Sequence, residues 1–202
     1  MKLYFHFGFP RTGSTSLQVN LFPNHPQINY LGRYPKTKPR LELMDLISNL
    51  NNDDFDKRYS ELLKKAKELN LDPNKTNVIS TEFIILNAIH YNNGNDNFRT
   101  VPRAISRINS LFSKIHIDID VYFFCLIRSQ SKIISSFYSA ATPELNYSLT
   151  FNGKELVEYL ETKKSSNPMI KRLLDGFNYL KLYKDLSKVV EKNKIKFFLY
   201  EE

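Results

Sequence analysis

One cysteine in 202 residues leaves no partner for an intramolecular disulfide and no thiol pair from which to begin a zinc site. The four histidines never recur at a ligand spacing such as H-x-x-x-H, so no metal centre is expected. Cys125 stands inside the apolar run "VYFFCLI" with no neighbouring cation or histidine, and reads as a small buried hydrophobe rather than a nucleophile. No apolar run approaches the roughly 18–20 residues that span a bilayer. The first residues, "KLYFHFG", are too short and lack the small-residue cleavage site of a secretory leader. Repeats, low-complexity tails and long linkers are missing too. These absences set the expectation of one domain over residues 1–202, without a membrane span, in a reducing cytoplasm.

What is present is an ordinary globular balance, 42% apolar and 25% charged, with a net charge of +8. Such a charge points to an anionic partner: a phosphorylated ligand, nucleic acid or an acidic surface. Most of the lysines, however, fall in helical stretches such as "KRYSELLKKAKEL" and "YLKLYKDLSKVVEKNK", where they form solvated faces. No recognition-helix or RNA-binding signature accompanies them, so no specific nucleic-acid partner is expected.

Four apolar runs rich in β-branched and aromatic residues predict strands: residues 3–7, 77–81, 120–127 and 195–200, with a weaker fifth at 28–31. Between them, apolar residues recur at helical spacing. Phe55, Tyr59, Leu62, Leu63 and Ala66 form one such face; Ile105, Ile108, Leu111 and Phe112 another; Leu180, Tyr183, Leu186 and Val190 a third. "NNGND" (92–96) and "SSNP" (165–168) read as turns. Near-continuous apolar strands alternating with helices predict an α/β fold, a three-layer sandwich around a parallel sheet of four or five strands.

"FHFGFPRTGSTSLQ" (5–18) follows the first strand and nearly spells a triphosphate-binding loop, G-x-x-x-x-G-K-[ST]. Gly8, Gly13 and Thr15 are in place, but Ser14 occupies the lysine position and the nearest cation is Arg11. The glycines permit close backbone approach, and Ser14, Thr15 and Ser16 open a helix whose unpaired N–H groups favour an anion. Hydroxyls in that turn can add hydrogen bonds, although serines and threonines also cap helices without any ligand. The triphosphate lysine spans the β- and γ-phosphates beside Mg²⁺. A shorter anhydride needs less, and a planar guanidinium within the loop can serve it without a metal.

A second anion site is expected where strand 120–127 ends. Arg128 lies at that end and Ser136 about two helical turns further on, both able to face the cleft above the first loop. The two sites together suggest one ligand with two separated anionic groups. Here the sequence resembles a known family. "GFPRTGSTSLQ" is similar to the 5′-phosphosulfate loop of sulfotransferases, and "LIRSQSKIISSFY" to their 3′-phosphate element. "NHPQINYLGRY" resembles bacterial members, and "FFLYEE" a later strand ending in an acidic residue. The resemblance implies a P-loop-like sulfotransferase fold and 3′-phosphoadenosine-5′-phosphosulfate (PAPS) as donor, with the bisphosphate PAP as product. It implies that Arg11, Thr12, Gly13, Ser14, Thr15 and Ser16 hold the 5′-phosphosulfate, and that Arg128 and Ser136 hold the 3′-phosphate. Many members carry lysine where Arg11 stands; arginine keeps the charge but donates a proton poorly, so its implied role is charge stabilisation.

Transfer to an alcohol needs a proton acceptor. "NVISTEFIIL" places Glu82 at a strand end on the cleft edge, the setting in which branches of the family use a glutamate. The same carboxylate would also suit a helix's first turn with no catalytic role. His90 is the next candidate base, whereas His6, alternating within the first strand, reads as packed, and His25 has no evident partner. Arg33 is a candidate to approach the expected substrate cleft, although a surface salt bridge explains it equally well. The acceptor is expected to be a hydroxyl or amine of a small molecule or glycan, met by loops such as 141–152 and 32–40. Two competing readings stand beside this one: a P-loop small-molecule kinase, with Thr15 and Glu82 around Mg²⁺, and a non-catalytic nucleotide binder. Members of the family continue past the strand matched by "IKFFLY", whereas this sequence stops at "YEE", so a compact or shortened member is expected.

Overall fold

The computed structural model describes residues 1–9, 11–32, 38–82, 84–85, 100–115, 118–140, 153–162 and 174–200. Five strands form one all-parallel sheet: β1 (Lys2–His6), β2 (Ile28–Tyr30), β3 (Thr76–Ser80), β4 (Asp120–Ile127) and β5 (Ile195–Leu199). Their order across the sheet is β2-β3-β1-β4-β5. From the central β1 the chain builds one flank, then crosses over to build the other. That reversal beside β1 is where open α/β sheets bind ligands, beyond the carboxyl ends of the strands. The expected α/β class, the parallel sheet and all five strands are present.

Alternation along the strands divides the sheet into two faces. On one, Leu3, Phe5, Phe7, Val121, Phe123 and Cys125 are buried. Phe5 meets Phe112 edge-on at 5.0 Å between ring centroids and stacks on Phe123 at 5.7 Å. Phe112 ends α5 (Val101–Phe112), whose buried face is Ile105, Ile108, Leu111 and Phe112, the periodicity read from the sequence. Thr100 caps that helix through Arg103 N–H, and Pro102 sits in its first turn, where its missing N–H costs nothing. Cys125 is fully buried, and burial raises its thiol pKa well above the usual range, leaving an inert apolar side chain.

The opposite face carries Tyr4 stacked on Tyr122 at 5.0 Å and His6 stacked on Phe124 at 4.8 Å. Over its upper part lies the helical segment that follows the first loop. It begins as α1 (Ser14–Ser16), widens into a π-helical turn over Leu17–Leu21, and tightens into a 3-10 turn over Phe22–Asn24. The wide turn, with Phe22 N–H donating to Leu17 C=O, brings buried Gln18 and Phe22 down onto the sheet.

The helices α2 (Lys38–Asn49), α3 (Asn52–Lys57) and α4 (Tyr59–Lys67) pack beside α5. They are latched by Arg107, only 6% exposed. Its guanidinium donates to the carbonyls of Ile47 (3.0 Å), Leu50 (2.7 Å) and Asn51 (3.0 Å) and to Asn52 Oδ1 (3.1 Å). It also stacks over the Phe55 ring at 4.4 Å. Helix-terminal carbonyls lack intrahelical donors, so a planar five-donor cation from α5 serves the end of α2 and complements its dipole, while Asn51 C=O also accepts from Phe55 N–H (3.0 Å). The remaining helices are α6 (Gln130–Ala140), α7 (Gly153–Thr162) and α8 (Tyr179–Leu186). His90, Arg33, the turns at 92–96 and 165–168 and the loop 141–152 lie outside the described residues.

Candidate active site

The loop after β1 climbs through Gly8 and buried Phe9 to Arg11, Thr12 and Gly13 before α1 begins. Phe9 anchors it, packing against Tyr179 at 5.3 Å and Phe177 at 6.1 Å. Two residues hold left-handed backbone: Gly13 (φ 75) and, more tellingly, Arg11 (φ 70). For arginine that geometry costs about 1–2 kcal/mol, a strain the surrounding contacts must sustain. Its result is an exposed guanidinium whose Nη2 donates to the Ser136 carbonyl on α6 (3.5 Å).

Thr12 and Ser14 point inward. Thr12 Oγ1 donates to Phe9 C=O (2.7 Å) and lies 3.3 Å from Ser14 Oγ, which reaches the same carbonyl at 3.3 Å. Both residues are buried, so in this state their hydroxyls close the loop on itself. What the loop leaves uncommitted is mainly backbone, since the first-turn N–H groups of a helix have no carbonyl one turn back. Thr15 and Ser16, by contrast, are exposed.

Gly13 has a second reason to be glycine. A Cβ there would strike the ring of Tyr200, with Cδ2 at 2.9 Å and Cε2 closer still. Tyr200 follows β5 and continues its pairing through N–H to Ile127 C=O (2.8 Å). The Arg128 guanidinium lies over the same ring at 5.5 Å, while its Nη1 donates to the Arg11 carbonyl (3.3 Å) and Tyr179 Oη donates to its own carbonyl (2.9 Å). Arg128, Ser136 and the loop are thus brought together. Tyr200 was not singled out from the sequence, because an aromatic near the end of an apolar run gives no sign of which loop it will cover.

Glu82 reaches the same edge by register. His6 pairs with Ser80, and Thr81 N–H extends the ladder to His6 C=O (2.9 Å). Two positions beyond the His6–Ser80 pair stand Gly8 on one chain and half-buried Glu82 on the other. His25 lies in the loop before β2, half-buried, with its Nδ1 accepting from Gln27 N–H (3.3 Å). Among the described residues, no three or more His, Cys, Asp or Glu side chains gather as a group able to hold a metal. Nor is any described helix long and apolar enough to cross a membrane.

His6 is fully buried, as a packed histidine should be, but it is not merely apolar filling. Its Nδ1 lies 2.7 Å from Ser80 Oγ, which accepts from Gln18 Nε2 at 2.9 Å. With the amide donating to Ser80, a serine proton directed at Nδ1 leaves the neutral ring's own proton on Nε2, the tautomer we assign. Burial lowers its pKa to about 4. Unfolding restores a value near 6.5, so the unfolded chain binds more protons between those two values and stability falls on acidification. The expected loss from this one group is about 2 kcal/mol at pH 5, nearing 3 kcal/mol at pH 4. Urea denaturation from pH 7 to 4.5 checks it: His6→Asn should flatten the slope by that amount, and parallel curves would exclude it.

No protein-family model matches the sequence, and no curated protein matches it. Among solved structures, the crystal structure of a sulfotransferase from Alicyclobacillus acidocaldarius matches 98% of this chain and 72% of its own, with a TM-score of 0.52 and 15% identity. At that identity the likeness is one of fold. The chain has an α/β, sulfotransferase-like architecture.

Proposed function

We propose that this chain is a sulfotransferase that takes the sulfuryl group of PAPS and passes it to a hydroxyl or amine acceptor by in-line displacement without a metal. One observation carries the reading. Arg128 donates to the backbone of Arg11, and Arg11 donates to the backbone of Ser136, so two guanidiniums and a helix-opening loop converge on one sheet edge. Such a pair fits a ligand with two anionic ends better than a single triphosphate chain that relies on a lysine and Mg²⁺.

The 5′-phosphosulfate would lie on the N–H groups of Gly13, Ser14 and Thr15, with the Thr15 and Ser16 hydroxyls beside it. The 3′-phosphate would lie on Arg128 and Ser136. Glu82, in register with Gly8, would accept the acceptor's proton as its oxygen attacks sulfur. Arg11 and the loop N–H groups would stabilise charge on the departing phosphate, the electrostatic share of the rate. Thr12 and the Ser14 hydroxyl act on the loop's shape in the state described above.

The test is calorimetric titration with PAP in the absence of metal, set against ATP with Mg²⁺, for wild type and Arg128→Ala. Metal-free PAP binding is expected, weakened about 10–100-fold in the variant, the worth of a charge-assisted contact to phosphate. Preference for Mg-ATP with indifference to Arg128 would transfer the site to a kinase reading.

A further inference from the structure

Beneath the loop, His6 presents a polar atom left unsatisfied: Nε2 is buried and has no hydrogen-bond partner among the described residues. A buried donor left unpaired costs free energy, so its persistence calls for a partner that arrives in another state. Its direction is given by Gly8. A Cβ on that glycine would lie 3.0 Å from His6 Nε2 and 2.9 Å from Cε1, and would collide with Ser14 Oγ. The imidazole edge and the serine hydroxyl therefore both border the bare hydrogen of Gly8. Ser14 is not firmly committed elsewhere: its bond to Phe9 C=O is 3.3 Å long, and Thr12 already serves that carbonyl at 2.7 Å.

We propose that His6 is a positioning residue of the anion loop, whose Nε2–H takes up the Ser14 oxygen when an anionic oxygen enters the loop and draws the Ser14 proton toward itself. The proposal rests on the reading of this loop as the phosphosulfate site. In the structure, Ser14 donates back to the chain. In the filled loop a rotation about one side-chain bond lets it donate to a phosphate or sulfate oxygen and accept from His6, so the orphan is satisfied only with ligand bound. With Ser80 accepting from Gln18 and donating to Nδ1, Nε2 is the donor. Gly8 is required because any side chain there would separate the two partners.

The experiment combines histidine side-chain NMR of the wild type with calorimetry, using PAP as the probe. On saturation the His6 Nε2–H resonance should move downfield and exchange more slowly, with Nδ1 unchanged. His6→Asn keeps an acceptor for Ser80 but removes the Nε2 donor, and should weaken PAP about tenfold. Ser14→Ala should weaken it by a similar factor, and the double variant should be little worse than either single one. Wild-type affinity in a folded His6→Asn protein, or losses that simply add, would overturn the coupling while leaving the sulfotransferase reading intact. Should His6→Asn fail to fold, an Nε2–H signal unmoved by saturating PAP would overturn it equally. Failure of the wild type to bind PAP at all would remove the parent reading, and this inference with it.

Discussion

Arg107→Met is expected to lower the free energy of unfolding by about 3 kcal/mol while leaving PAP affinity unchanged. The methionine refills most of the volume but donates nothing, so the carbonyls of Ile47 and Leu50 lose this donor away from bulk water, while Asn51 C=O keeps Phe55 N–H (3.0 Å) and the exposed Asn52 side chain turns to solvent. Each such group costs on the order of 1 kcal/mol when stranded, and some regain water as the end of α2 loosens. The ring contact to Phe55 goes as well. For a chain of this size the loss corresponds to about 6–12 °C in melting temperature. Arg107→Lys should recover only part of it, because a single ammonium cannot serve four acceptors in a fork. Urea denaturation decides the matter, and a loss below about 1 kcal/mol would mean that the four bonds are replaced by water without penalty.

Glu82→Gln is expected to leave PAP binding within a factor of two and to reduce turnover by about 10²–10⁴, the span of a general base. Glutamine matches the carboxylate in size but cannot accept the acceptor's proton at neutral pH. The measurement is transfer of labelled sulfate from PAPS to the first hydroxyl compound that the wild type modifies, with PAP titration alongside. Undiminished turnover would move the base elsewhere. Loss of PAP binding would instead make Glu82 a structural support of β3 and the loop.

Strands were legible because a sheet covered on both faces demands apolar runs, and a run such as "VYFFCLI" can hardly be anything else. Their observed ends fall at or within one residue of the expected ones: β1 closes at His6 rather than Phe7, β3 at Ser80 rather than Thr81. Yet Phe7 and Thr81 still donate across the sheet, to Phe124 and His6. The loop was legible through its glycines, whose conformational demand is local. What escaped was anything decided between distant segments. The left-handed backbone of Arg11, the ring of Tyr200 over Gly13, the Gln18–Ser80–His6 chain and the Arg107 latch each join residues that periodicity cannot pair. The inward turn of the Thr12 and Ser14 hydroxyls belongs with them. A G-S-T spelling shows hydroxyls near an anion site, not which carbonyl will hold them beforehand.

The sheet order has a consequence for how the chain comes into being. β1 sits at the centre, yet its neighbours lie far along the sequence, Leu3 pairing with Asn77 on one side and Val121 on the other. A ribosome adding roughly 5–20 residues per second needs about 6–24 s to pass from β1 to β4. Throughout that interval "LYFHF" is an aromatic strand with one edge unclaimed, a segment suited to capture by a chaperone or by its own kind. The loop after β1 hangs from that strand and gains its Arg128 and Tyr200 contacts only after β4 and β5 arrive, so on the proposed reading PAP affinity in a nascent chain would serve as a clock for the last pairing event.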